Sequence, residues 1–256
     1  MSDHSDNDIP RDRIFATPGQ NTDFVFDERV AAVFTDMINR SVPGYATIVS
    51  MSGMLAERYC QPGSRVYDLG CSLGGTTLAM AHHIGQRDYR LVAVDNSPAM
   101  IQRFSRALEN EEAELATRIE LKCADIDDLT IDNASVVALN FTLQFIDPAR
   151  RDALIRRIAG GMRPGGILIL SEKIAFPDRG INDLFIDLYH RFKKVQGYSD
   201  LEISQKRQAL ENVLRPESLE IHRRRCAQAG FTACDVWFQC FNFASLVAFM
   251  PGEDAT

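Results

Sequence analysis

The run Val66-Tyr67-Asp68-Leu69-Gly70-Cys71-Ser72-Leu73-Gly74-Gly75, followed by Leu91-Val92-Ala93-Val94-Asp95-Asn96, constrains this chain more than any other part of it. The first piece reads as a buried strand that passes through a glycine-rich turn into a helix. The second is another buried strand, ending on an acid. A turn without bulky side chains lets the backbone approach a ligand closely, and a carboxylate at the tip of the next strand can accept hydrogen bonds from both ribose hydroxyls. Together they imply a nucleoside-containing cofactor. The motif departs from the dinucleotide form, because Ser72 stands in the place of the middle glycine within Gly70-x-x-x-Gly74. A cofactor without a pyrophosphate has less need of that glycine.

Residues 1–22 lack periodicity and are expected to be mobile, leaving 23–256 as one domain. Val30, Val33, Phe34, Met37 and Ile38 predict a helix over 26–42, which Pro43-Gly44 breaks, and a second helix follows over 45–59. The two form an N-terminal helical cap spanning 26–60. Strands at 65–70, 89–95, 119–124, 134–140 and 166–172 then alternate with helices at 74–84, 98–110 and 148–162, with Pro164-Gly165-Gly166 as a stop signal before the fifth strand. Such alternation argues for an α/β fold with a parallel sheet covered on both faces. From 178 to 230 the pattern is helical only, an insertion in which Ser199 and Glu202 make a capping box for a helix reaching about 214, and Pro216-Glu217 opens another. Val236-Trp237-Phe238 and Ser245-Leu246-Val247-Ala248-Phe249 predict a terminal hairpin.

The net charge of −7 weighs against an extended nucleic-acid footprint, which needs a basic face, so no direct nucleic-acid binding is expected. Arg156-Arg157 and Arg223-Arg224-Arg225 read as solvated helix faces. No apolar run approaches the ~20 residues that cross a bilayer, and Met1–Asp8 is polar and acidic rather than signal-like. The expectation is a cytoplasmic protein without membrane contact. Its six cysteines include no Cys-x-x-Cys pair and no histidine at ligand spacing, so no metal site is expected and the thiols read as mostly buried. His82-His83 and His190 lie in helical patterns and read as structural. No paired carboxylates or Cys–His arrangement shows catalytic spacing.

Further candidates lie at the carboxyl ends of later strands. Asp125 could accept from an adenine amino group, Ile126 could pack on the ring, and Asn140 faces the same cleft; each of the two polar residues has a purely structural alternative. Tyr45, after the Pro-Gly turn, reads either as a ligand contact or as a hinge tyrosine. On the helix after Ser199, Ile203, Leu210 and Leu214 form an apolar stripe, and Arg207 falls on it while Lys206 lies off its centre and reads as solvated. An inward guanidinium needs a partner, and carboxylate is its natural one, although a buried structural ion pair would serve equally.

These features resemble the class I S-adenosylmethionine-dependent methyltransferase fold over about residues 40–250, which implies a Rossmann-like, seven-stranded, mostly parallel sheet ending in an antiparallel hairpin. The longer strings Phe26-Asp27-Glu28-Arg29-Val30, Ser41-Val42-Pro43-Gly44-Tyr45, Asn140-Phe141-Thr142-Leu143-Gln144-Phe145, Leu201-Glu202-Ile203-Ser204-Gln205-Lys206-Arg207 and Trp237-Phe238-Gln239-Cys240-Phe241-Asn242-Phe243 are more specific. Through them the chain resembles the carboxy-S-adenosyl-L-methionine synthase family. The resemblance implies conversion of S-adenosylmethionine and prephenate to carboxy-S-adenosylmethionine and phenylpyruvate, for the 5-oxyacetyl modification of tRNA wobble uridine by a separate enzyme. It places Gly70, Cys71 and Ser72 on the methionyl part, Asp95 and Asn96 on the ribose, Asp125 and Ile126 on the adenine, Tyr45 in the site, and Arg207 on the new carboxylate of the bound product. It also implies a homodimer. An ordinary small-molecule methyltransferase and a non-catalytic S-adenosylmethionine-binding protein are the alternative readings.

Overall fold

The computed structural model describes residues 10–19 and 23–252. Helices α1 (Glu28–Ser41) and α2 (Tyr45–Tyr59) precede an alternating core: β1 (Ser64–Leu69), α3 (Gly75–Ile84), β2 (Tyr89–Asp95), α4 (Pro98–Leu108), the single turn α5 (Ala113–Ala116), β3 (Ile119–Cys123), β4 (Ala134–Asn140), α6 (Pro148–Gly161) and β5 (Met162–Lys173). The insertion comprises α7 (Arg179–Val195), α8 (Asp200–Leu210) and α9 (Leu219–Ala229), and the hairpin is β6 (Ala233–Cys240) with β7 (Phe243–Phe249).

The strands form one sheet in the order β3-β2-β1-β4-β5-β7-β6, parallel from β3 to β5 and antiparallel at both β7 contacts. Side chains alternate across it, as a sheet buried on both faces requires. Val66, Leu91, Ala93, Val136 and Ala138 pack under α2, α3 and α4 through Ala56, Met80, Ala81 and Phe104. Tyr67, Val92, Val94, Val137 and Leu139 pack on the other face against Leu154, Ile155 and Ile158 of α6 and Cys226 of α9. β2 and β3 lie on one side of β1 and β4 and β5 on the other, so the chain reverses direction across the sheet between β1 and β4, where such folds open a crevice.

Several expectations need correction. Within the segment expected to be mobile, residues 10–19 are docked: Asp12 and Phe15 are buried, and Gln205 Nε2 donates to the carbonyls of Phe15 (2.7 Å) and Thr17 (3.0 Å). Residues 1–9 and 20–22 lie outside the described residues. β5 begins at Met162 and carries Pro164-Gly165-Gly166 inside it, at a register irregularity opposite β4 rather than ahead of the strand. α8 ends at Leu210, short of Leu214, and α9 begins after the cap Ser218, not at Pro216.

The arginine runs are only partly solvated. Arg225 is buried and pairs with Asp152 (2.6 Å) and Glu217 (2.8 Å), while the fully buried Arg151 of α6 meets the same Glu217 at 2.7 Å. Arg157, half-buried, donates to the carbonyl of Ile126 at 2.7 Å. A buried guanidinium is tolerable only when its hydrogen bonds are filled, and Glu217 fills two of them at once. The Glu217→Ala variant leaves both arginines without that partner, and is expected to lose about 3–5 kcal/mol of unfolding free energy, measured by urea denaturation.

Candidate cofactor site

A cavity of about 410 Å³ opens at the carboxyl ends of the strands. Its base is the turn between β1 and α3. Gly70 and Gly74 both sit at φ +85°, where a side chain is strained. A Cβ on Gly70 would lie 2.2 Å from Thr142 Oγ1, and one on Gly74 would lie 2.1 Å from the Phe104 ring. The amides of Gly70 and Cys71 both donate to the carbonyl of Val94, at 2.8 and 2.9 Å, tying the turn to the end of β2. Ser72 and Phe141, at φ 49° and 59°, are non-glycine residues in the left-handed region, and both line the cavity. Strain of this kind, ~1–3 kcal/mol per residue, clusters at ligand sites.

Asp95 ends β2 and accepts from the backbone amides of Ser72 and Ser97, both at 2.9 Å, one to each carboxylate oxygen. Each oxygen keeps a further lone pair for a ligand hydroxyl. Burial raises the Asp95 pKa, and the two amides oppose that rise. Asp95 also has a structural part, because it holds the amide of Ser97, the N-cap of α4. Asn96 lines the cavity beside it.

Asp125 and Ile126 line the wall beyond β3. Asp125 Oδ1 accepts from the Asp127 amide at 2.9 Å and faces Arg150 at 3.5 Å, leaving its second oxygen without a protein hydrogen bond among the described residues. Asn140 lines the cavity, but its amide is largely engaged: Nδ2 donates to Thr76 Oγ1 (3.0 Å) and Ser52 Oγ (3.3 Å), and Oδ1 accepts from Ser171 Oγ (2.6 Å). It thus joins α2, α3, β4 and β5 at the cavity floor. Tyr45, first residue of α2, also lines the cavity, and burial raises its hydroxyl pKa, so it is a donor at any physiological pH. Phe24, Phe26 and Phe34 line the cavity with Leu210 and Leu214, giving its outer part an apolar surface.

The inward placement expected for Arg207 needs correction. It is exposed and does not line the cavity, whereas Lys206, expected to be solvated, is buried and does line it. The inner face of α8 runs through Ile203, Lys206 and Ala209, because the docked residues 10–19 cover that side and Asp12 lies there to meet the Lys206 ammonium at 3.6 Å. The helix also ends before Leu214 can extend the stripe. Arg207 still acts locally, since its charge lowers the pKa of Lys173 and of His190, in each case after burial as the larger cause.

Asp68 lies within the glycine-rich motif, ahead of the turn. It is fully buried beneath the turn, accepts from Thr77 Oγ1 at 2.6 Å, and has its pKa pushed up to about 7 by burial. An acid inside an otherwise apolar strand was the available signal. Among the described residues no cluster of histidine, cysteine, aspartate and glutamate could hold a metal ion, and no helix is long and apolar enough to cross a membrane. Cys60, Cys71 and Cys226 are buried, but Cys123 is exposed.

The features just described fit a nucleoside bearing an amino-acid tail: a side-chain-free turn, a ribose-height carboxylate, an apolar ring wall and a volume suited to a small cofactor. Comparison with known proteins agrees. A family model described as a methyltransferase domain matches residues 66–166. Curated relatives named carboxy-S-adenosyl-L-methionine synthase match almost end to end. The protein from Geobacter sp. (strain M21) is 59% identical over 93% of this chain and 98% of its own length. That from Vibrio cholerae serotype O1 (strain ATCC 39541 / Classical Ogawa 395 / O395) is 55% identical over 93% and 97%.

The chain belongs to the carboxy-S-adenosyl-L-methionine synthase family.

A third relative, from Yersinia pestis (strain Pestoides F), is 51% identical over 97% of both chains. Among solved structures, an O-methyltransferase family protein from Burkholderia thailandensis superposes with a TM-score of 0.65 at 19% identity, covering 90% of this chain and 62% of the other. Human N-acetylserotonin methyltransferase in complex with SAM gives 0.60 at 15% identity, over 88% and 55%. At such identities these two speak for the fold, which is the class I methyltransferase fold expected from sequence. The Gly70→Ala variant is expected to weaken S-adenosylmethionine binding by at least ~10-fold, since a φ-incompatible side chain and an overpacked contact each cost ~1–3 kcal/mol. Titration calorimetry measures it.

Proposed function

We propose that the protein converts S-adenosylmethionine and prephenate to carboxy-S-adenosylmethionine and phenylpyruvate. The observation that carries this reading is the end-to-end identity of 51–59% with relatives named for that product. In the balanced reaction, prephenate loses its ring carboxylate as carbon dioxide and its ring hydroxyl as hydroxide. The hydroxide takes one proton from the sulfonium methyl and leaves as water. The resulting carbanion, stabilised by the adjacent sulfonium, bonds to the carbon dioxide. No side chain need act as the base. The protein's part is to hold two reactants in contact and keep water from the carbanion, a task suited to the roof of Phe24, Phe26 and Phe34.

In this reading Gly70, Cys71 and Ser72 hold the methionyl part, Asp95 and Asn96 the ribose, and Asp125 with Ile126 the adenine. Tyr45 and Asn140 border the reacting end, and Arg207, exposed and outside this cavity's lining, is assigned to the carboxylate of the product by the family resemblance alone. The product then serves a separate enzyme that modifies tRNA wobble uridine in the cytoplasm, which suits a chain of net charge −7 with no need to grip RNA itself. The active species is a homodimer joined through the insertion, where Ile181, Leu184, Val195 and Leu201 are exposed. Large exposed apolar side chains grouped on neighbouring elements are the usual mark of a protein interface.

Incubation with S-adenosylmethionine and prephenate, followed by mass spectrometry, is expected to give a species heavier than the cofactor by one carbon dioxide. Methylated acceptors without that species would instead support an ordinary methyltransferase, and no product at all a binding protein. The Arg207→Ala variant is expected to bind the carboxylated product ~10- to 100-fold more weakly, the worth of one charge-assisted hydrogen-bonded pair. A Leu184→Asp/Val195→Asp double variant is expected to sediment as a monomer, whereas unchanged sedimentation of a dimer would place its interface elsewhere.

A further inference from the structure

Basic side chains converge where α7 and α8 meet the end of β5, and the roles proposed above use only Arg207. Lys173 is the last residue of β5 and lines the cavity with Tyr189 of α7. Lys193, one helical turn beyond Tyr189, is only 5% exposed. Its Nζ lies 4.4 Å from the centre of the Tyr189 ring, and Lys173 Nζ lies 5.1 Å from the same centre. Lys206 is already committed, donating to Ser41 Oγ at 2.9 Å and facing Asp12. Neither Lys173 nor Lys193 has an ion-pair partner among the described residues.

A buried ammonium without an anion is unfavourable, and an aromatic face returns only ~0.5–2 kcal/mol. Lys193 is buried and Lys173 half-buried, and the two share one aromatic ring with no anion beside either among the described residues. Burial, then the charge of Arg207, lowers the Lys173 pKa to about 8. Burial, then Lys206 and Lys173, lowers that of Lys193 well below the lysine range against the pull of Asp12. His190 on the same helix is lowered by burial and by Lys193, Arg207 and Lys173, with Asp187 opposing. Each of these groups would be relieved by one entering anion.

The position within the sheet says which anion. β5 lies beyond β4 from the turn after β1, so Lys173 stands roughly 10 Å across the cavity from that turn, two strand spacings away. We propose that Lys173 and Tyr189 on the cavity wall, with Lys193 packed on the same ring just outside that lining, form the carboxylate subsite for the second, dianionic substrate. This rests on the synthase reading and adds residues to it. The subsite grips the pyruvyl carboxylate, which the product keeps. An ion pair to the departing ring carboxylate would stabilise the ground state and slow its loss as carbon dioxide.

The test is steady-state kinetics on the full-length enzyme with Lys173→Met, Lys173→Arg and Lys193→Met. Both Met variants are expected to raise the KM for prephenate ~10-fold or more, the worth of a hydrogen bond to a charged group. Their calorimetric Kd for S-adenosylmethionine should stay unchanged, and Lys173→Arg should restore most of the loss. Melting temperatures should hold or rise in the Met variants, since they remove uncompensated buried charge. A structural role would lower them. In the wild type, 1/KM for prephenate should fall as pH rises through about 8, because only the ammonium form pairs with carboxylate, and the Lys173→Met profile should be flat there.

Three results overturn the proposal. A raised cofactor Kd with unchanged prephenate KM would assign the lysines to the methionyl carboxylate. A wild-type kcat that climbs through pH 8 and collapses in Lys173→Met would make Lys173 a base. An unchanged prephenate KM in both Met variants would leave the pair structural. Failure of the wild type to consume prephenate would instead sink the synthase reading itself, and this subsite with it.

Discussion

Backbone proximity at one turn organises the rest of the molecule. Gly70 leaves β1 in a left-handed conformation with no room for a side chain beside Thr142, and Gly74 re-enters α3 against the Phe104 ring. Between them, the carbonyl of Val94 takes two amides from the turn, and the carboxylate of Asp95 takes a third from Ser72. The ends of β1 and β2 are therefore locked together beside the β1–β4 junction where the sheet order reverses. The ligand wall, the floor made by Asn140 and the register of α3 all follow from that lock.

The roof has a different origin. It is tied down by polar contacts between segments far apart in sequence. Tyr198 donates to Asp12 at 2.6 Å, Arg40, oriented by its i,i+4 pair with Asp36 within α1, donates to the Asp12 carbonyl at 2.9 Å, and Gln205 holds the backbone of residues 15–19. Most of these groups are buried, so each contact is worth more than its surface equivalent, and each is costly to leave half-made. The insertion is anchored from the other side by Glu217 between Arg151 and Arg225. The aromatic and aliphatic residues along the cavity are thus held in place by polar contacts on both flanks.

Much of the cofactor half was legible in the chain because its determinants are local. Glycines needing positive φ, an acid ending an apolar strand and an asparagine at a strand tip announce themselves within a few residues. Gly70, Cys71, Ser72, Asp95, Asn96, Asp125, Ile126, Asn140 and Tyr45 all line one cavity. The basic half was not legible. Lys206 and Arg207 are neighbours on α8, and a rotation of 100° decides which one faces inward. Apolar periodicity favoured Arg207, but the inner face was settled by Asp12, which lies nearly the whole chain away and in a segment with no periodicity of its own. Likewise Arg225 read as a solvated run until Glu217 and Asp152 proved to be at hand.

By itself the sequence determined the alternating sheet, the position of its turn and the class of cofactor it accepts, since strand burial, helix caps and φ > 0 positions are written in residue types next to one another. Tertiary structure alone decided which cations are buried, which are left without an anion, and how the ends of the chain roof the cavity. The physical reason is that a charge's burial depends on the partner brought to it, and here the partners come from other elements, in the case of Lys206 and Asp12 from opposite ends of the chain.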